Sequence, residues 1–150
     1  MSGSSLPDGH RYLRYCAPRT LDDDGRPTGA SFLLRDGEPD LSGAWVEYFR
    51  EVEWHDDPLA ASLASFVESG PIKVSKKGRL AVLPVSETRR VLVEFGKTPP
   101  PADILHTPLV DPPPFPPHAS IVNIADIESY GDLINDCVVE AISCHSLVVR

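Results

Sequence analysis

His106 and His118 are the residues of this chain best suited by type and setting to do chemistry. A proline lies just beyond the first, at Pro108, and another directly before the second, at Pro117. Histidine gains and loses a proton near neutral pH and serves as a general acid or base. Proline beside it restricts the backbone freedom that would blur a site. On this reading His118 is a base, His106 a second histidine, and Arg26 or Arg11 holds an anionic group, because a guanidinium recognises carboxylate or phosphate bidentately. The chemistry would be a small hydrolysis or group transfer. No nucleophile stands at a telling spacing from either ring. The competing reading is structural: both rings satisfy backbone groups where a proline-rich loop meets a strand.

Other chemistries find less support. Three cysteines, Cys16, Cys137 and Cys144, are an odd number without regular spacing, which argues against a secreted disulfide framework. Cys137 falls on an apolar helical face, and Cys16, before Ala17-Pro18, is the more open candidate for a thiol nucleophile. Zinc needs about four ligands, and Cys16, His106, His118, Cys144 and His145 contain no C-x₂-C or H-x₃-H pair. Asp22-Asp23-Asp24 suggests a calcium loop, but Pro27 and Leu33 take the positions where an EF-hand requires glycine and glutamate. The nucleophile elbow and both glycine-rich nucleotide fingerprints are absent. The sequence implies no metal and no cofactor.

Charge points toward a protein partner. A net charge of −8 opposes binding to nucleic acid and to anionic membrane surfaces. The densest basic cluster, Lys76-Lys77-Gly78-Arg79, reads as a solvated turn. No apolar run approaches the ~18 residues that span a bilayer, and the first residues carry no signal-peptide pattern, so a cytoplasmic setting is expected. Phe115, between Pro112-Pro113-Pro114 and Pro116-Pro117, has the form of an anchor for an aromatic groove, although a stiff loop whose Phe115 packs on its own domain is the preferred reading. Trp54, in the acidic stretch 51–57, is a second contact candidate. The leading expectation is a small accessory protein acting through a protein partner. An antitoxin or immunity-type protein masking a basic partner also fits the charge, and predicts salt-sensitive association.

The elements that would position these residues are legible in outline. Residues 1–9 are small and polar and read as disordered. Strands are expected at 10–16, 30–34, 91–95, 104–106 and 119–124, and a hairpin from 72–75 and 79–85 around Lys76-Lys77-Gly78. Ser42 reads as the cap of a helical turn carrying Trp45, Tyr48 and Phe49. Asp57-Pro58 starts a helix that Gly70-Pro71 stops. Ile127, Tyr130, Ile134, Cys137 and Ala141 recur at helical spacing and predict a last helix over 127–142. Residues 146–150 would add a short strand. Nine of the 16 prolines fall in 99–117, which favours stiff polyproline II.

These pieces make one α+β domain over residues 10–150: a small mixed or antiparallel sheet with two or three helices packed on one face. Asp24-Gly25-Arg26, Ala30-Ser31-Phe32, Leu41-Ser42, Arg79-Leu80-Ala81, Glu87-Thr88-Arg89, His106-Thr107-Pro108 and Pro117-His118-Ala119-Ser120-Ile121 form a pattern. It resembles a loosely defined group of small bacterial proteins across roughly residues 11–125. The resemblance brings no activity with it. It implies only that the spacing from Arg26 to His118 is a unit. The proline insert and the C-terminal helix look like departures from the group.

Overall fold

The strands are β1 (Arg11–Cys16), β2 (Leu41–Trp45), β3 (Arg79–Pro84), β4 (Asp103–His106), β5 (His118–Val122) and β6 (Glu140–Ser143). They form one antiparallel sheet in the order β4-β5-β2-β1-β3-β6. The helices are α1 (Tyr48–Glu51), α2 (Pro58–Ser69), α3 (Val85–Phe95) and α4 (Glu128–Asn135). This is a small α+β fold. The computed structural model describes residues 3–35, 38–95, 102–124, 128–145 and 147.

Strand alternation sorts the apolar side chains into two cores. Tyr12, Leu41, Trp45, Leu83, Ile104 and Ile121 face one way and pack under α3 and α4 through Val91, Leu92, Tyr130 and Ile134. Leu13, Tyr15, Ala44, Val46, Leu80 and Val82 face the other way, under Leu63 and Phe66 of α2 and under Val74 and Phe115. Helices therefore cover both faces rather than one. A sheet with apolar side chains on both faces has to be covered twice.

Several local expectations yield to these long-range pairings. Leu41–Trp45 is a strand inside the sheet, not a helical turn, because β1 and β5 supply partners on both sides. Gly43 is needed there: a Cβ would sit 2.3 Å from the Leu13 carbonyl and 2.5 Å from the Tyr12 ring. Residues 72–75 form no strand, since β1 and β6 already occupy both edges of β3. Residues 91–95 belong to a helix, where Arg90 pairs with Glu87 (2.6 Å) and Glu94 (2.8 Å). Residues 29–32 form a 3₁₀ turn capped by Thr28. The last helix stops at Asn135, and 140–143 turn into β6 because the open edge of β3 recruits them. Most of 146–150 lies outside the described residues.

The α2 start is as expected: the Asp57 carboxylate accepts from the Ala60 N–H at 3.1 Å, with Pro58 at the first helical position. Among the described residues before β1, Ser5 and Leu6 join the sheet rather than remaining loose, while residues 1–2 lie outside the described residues. Ser5 bridges Leu105, and Leu6 is buried in the first core. The described part of the proline segment is a tight loop, not an extended polyproline helix. Leu109 and Phe115 exchange backbone hydrogen bonds (3.2 and 2.9 Å) around a cis Pro112–Pro113 peptide.

Candidate functional site

The polar side chains of the second sheet face gather at one end of an otherwise apolar surface. Period two along β5 puts His118 and Ser120 on that face. The antiparallel register sets Ser42 opposite Ser120 and Ala44 opposite His118. Residues directly opposite each other share a face and stand about 5 Å apart at Cβ. Above this floor opens a cavity of about 350 Å³. Its walls are Arg35, Glu38, Pro39 and Asp40 on one side, Phe66, Pro71 and Ile72 from α2 and its exit on another, and Leu109 from the proline loop.

His118 is only 6% exposed, and its ring is oriented by its neighbours. Its Nδ1 lies 2.8 Å from the Thr107 carbonyl, which can only accept, so Nδ1 carries the proton. Nε2 is left as a lone pair with no partner among the described residues. Burial pushes the ring's pKa below the ordinary histidine value, and the Thr107 hydrogen bond only partly offsets it. The Thr107 hydroxyl lies 3.0 Å from Nδ1 and 2.7 Å from the Ser120 Oγ, and either hydroxyl can donate to the other. The floor presents an acceptor, Nε2, two residues from a hydroxyl that can donate or accept.

The acidic wall is built on a buried ion pair. Arg14 is 0% exposed and uses all five N–H groups. It donates to the carbonyls of Ser31 (2.8 Å), Ser42 (2.8 Å) and Leu33 (3.1 Å), and to both Glu38 oxygens (3.0 and 3.3 Å). Burial alone would push the Glu38 carboxyl up. Arg14, with the backbone N–H groups of Arg35 and Ser42, holds it below the usual carboxylate range. Arg35 donates to Glu38 (3.3 Å) and to the Tyr15 carbonyl. Asp40 has no such partner among the described residues, and burial, with Glu38 nearby, pushes its carboxyl up.

His106 lies on the neighbouring strand but on the opposite face. It pairs with Ala119 of the first core, whereas His118 belongs to the other face. Its Nε2 donates to the Pro116 carbonyl at 2.8 Å, and its ring centroid is 4.9 Å from that of Trp45. Trp45 in turn donates to His10 Nδ1 at 2.9 Å. The two histidines flanking the proline loop therefore do not converge.

Neither Arg26 nor Arg11 reaches His118. Arg26 sits in the exposed turn closed by Asp22, and Arg11 is spent on Glu47 at 2.7 Å. Arg35 is the arginine at the cavity. Phe115 is 2% exposed and packs edge-on against Phe66, with ring centroids 5.9 Å apart, so it presents no surface to a partner. Cys16 is fully buried, not open, and burial raises its thiol pKa, as it does that of Cys144 to about 11. Among the described residues no three His, Cys, Asp or Glu side chains are grouped to hold a metal ion. The Asp22 carboxylate instead accepts from the N–H groups of Asp24 and Arg26.

Trp54 has the opposite character to Phe115: it is 70% exposed. The segment that carries it is nonetheless ordered. The His55 N–H donates to the Phe49 carbonyl at 2.9 Å, and the His55 ring packs edge-on against Phe49. The Arg50 guanidinium covers the indole at 5.3 Å. Exposed Glu51, Val52, Glu53, Asp56 and Asp57 surround it.

Of the residues around this cavity, the sequence singled out only His118 as a candidate, and not Thr107, Ser120, Ser42, Glu38 or Asp40 beside it. The one local signal was the period-two spacing of His118 and Ser120; the rest depends on which strand lies beside β5. No protein-family model matches this chain, and no curated protein or solved structure is significantly similar to it. The resemblance drawn from short motifs therefore assigns no family.

Proposed function

We propose that this protein is a small cytoplasmic accessory protein that docks on a basic partner protein through residues 50–57. The observation that carries the reading is Trp54, a large aromatic side chain 70% exposed on a segment whose backbone is held in place. Tryptophan and arginine dominate binding hot spots, and a rigid aromatic anchor loses little entropy on docking. The four carboxylates around it, with the chain's net charge of −8, suit a basic surface and speed encounter with it. Three free, buried cysteines fit a reducing compartment. Among the described residues no helix is long and apolar enough to cross a membrane.

The test is affinity capture from cell extract, without cross-linking, with the full chain and its Trp54→Ala variant. A single basic protein is expected with the wild type. It should be lost with Trp54→Ala and weakened at least tenfold between 0.15 and 0.5 M salt. Equal recovery by both chains at both salt concentrations would overturn the proposal.

A further inference from the structure

The cavity over β5 makes a separate demand on whatever enters it. Ala44 lies opposite His118 and Ser42 opposite Ser120, and the chain direction carries β2 back toward Asp40. Ala44 and Asp40 are four residues apart, so the polar groups spread along a floor about 13 Å long at ~3.3 Å per residue. One end holds the unpartnered lone pair of His118 Nε2 and, two residues on, the Ser120 hydroxyl, which can donate or accept. A hydroxyl suits that pair best, because it donates and accepts at once, whereas an ammonium only donates. The other end holds Asp40, the one charged group of the lining without an ion-pair or hydrogen-bond partner among the described residues. Between the two ends the cover is apolar: Phe66, Ile72 and Leu109. Glu38 and Arg35 are paired with each other, and Arg14 behind them has no N–H left to give.

We propose that this cavity binds a small elongated amine with an apolar middle and a hydroxyl at its far end, the ammonium on Asp40 and the hydroxyl between His118 and Ser120. The site is independent of docking at Trp54, which lies outside the lining. At about 350 Å³ the cavity falls at the small end of ligand sites, in keeping with a compact ligand.

Tyramine is the probe, with phenethylamine lacking the hydroxyl and 3-(4-hydroxyphenyl)propionate reversing the charge. Titrations of the full chain are followed by amide and imidazole NMR. Tyramine is expected to shift the His118 Nε2 resonance and the Ser42 and Ser120 amides saturably. Phenethylamine should bind at least fivefold more weakly without moving Nε2, and the carboxylate should not bind. Asp40→Asn should weaken both amines at least fivefold. His118→Gln should bring tyramine down to the phenethylamine level while leaving phenethylamine unchanged, which also shows that the variant cavity is intact. The proposal is overturned if the carboxylate binds as well as tyramine, if Asp40→Asn leaves both amines unaffected, or if tyramine at 10 mM leaves the His118 ring unmoved.

Discussion

His106 and His118 occupy adjacent strands, flank the same proline loop and are each fixed by a backbone carbonyl, yet they end in opposite surroundings. His106 donates through Nε2 to Pro116 and packs at a tilt against Trp45. His118 donates through Nδ1 to Thr107 and keeps Nε2 free at a cavity. Which ring nitrogen meets the carbonyl decides which one is left over. Strand parity decides the face. The comparison shows that a histidine's potential depends less on its neighbours in sequence than on what the other sheet face was given to carry.

The largest test removes the support of the His118 side. Arg14→Ala would leave the Glu38 carboxylate with Arg35 as its remaining cation and take a donor from the carbonyls of Ser31, Leu33 and Ser42, so a loss of ~3–5 kcal/mol is expected in urea denaturation. A loss under 1 kcal/mol would mean that the wall does not depend on the buried pair. Phe115→Ala comes next. It cuts the loop's packing on Phe66 and should cost ~3 kcal/mol, while leaving partner capture through Trp54 intact.

The two rings can then be compared directly. His118→Ala leaves the half-buried Thr107 carbonyl short of a partner and the buried ring's place empty, for a loss of about 1–3 kcal/mol. His106→Ala, nearer solvent, should cost about 1 kcal/mol. Reversal of that order would break the contrast.

Acid sharpens it further. The pKa of His118 is lowered on folding, so the unfolded chain binds the proton more readily. The stability that follows is fully present above the ordinary histidine value, ~6.5, and is lost as pH falls through the lowered one. The urea midpoint should drop between pH 8 and 5, and His118→Gln should remove part of that slope. The smallest effect belongs to Trp54→Ala. An exposed ring contributes within about 0.5 kcal/mol to stability, so its unfolding midpoint should match the wild type even as binding is lost.

Local signals carried part of this architecture well. Asp57-Pro58 and Gly70 bounded α2 because caps act within one turn. The runs at 10–16, 104–106 and 119–124 read as strands, and β1, β4 and β5 lie there within two residues at each end. Residues 91–95 and 138–142 misled in opposite directions. The β-branched Val91 and Val93 favour a strand, but Val91 and Leu92 had a helical face to bury, whereas the helical spacing of Cys137 and Ala141 gave way to the vacant edge of β3, which takes up 140–143. Leu41–Trp45 read as helical because Trp45, Tyr48 and Phe49 fit that spacing; two neighbouring strands outweighed it.

By itself the sequence determined the α+β composition, the net acidic charge and the capped helix α2. Each depends on residue type or on contacts within a turn or two. Only the tertiary structure decided that Phe115 is buried, that Arg14 and Glu38 are a pair, and that Ser42, Ser120 and His118 form one floor. Those outcomes depend on strand order and register, and a shift of one residue in either strand would turn the same side chains to the other face.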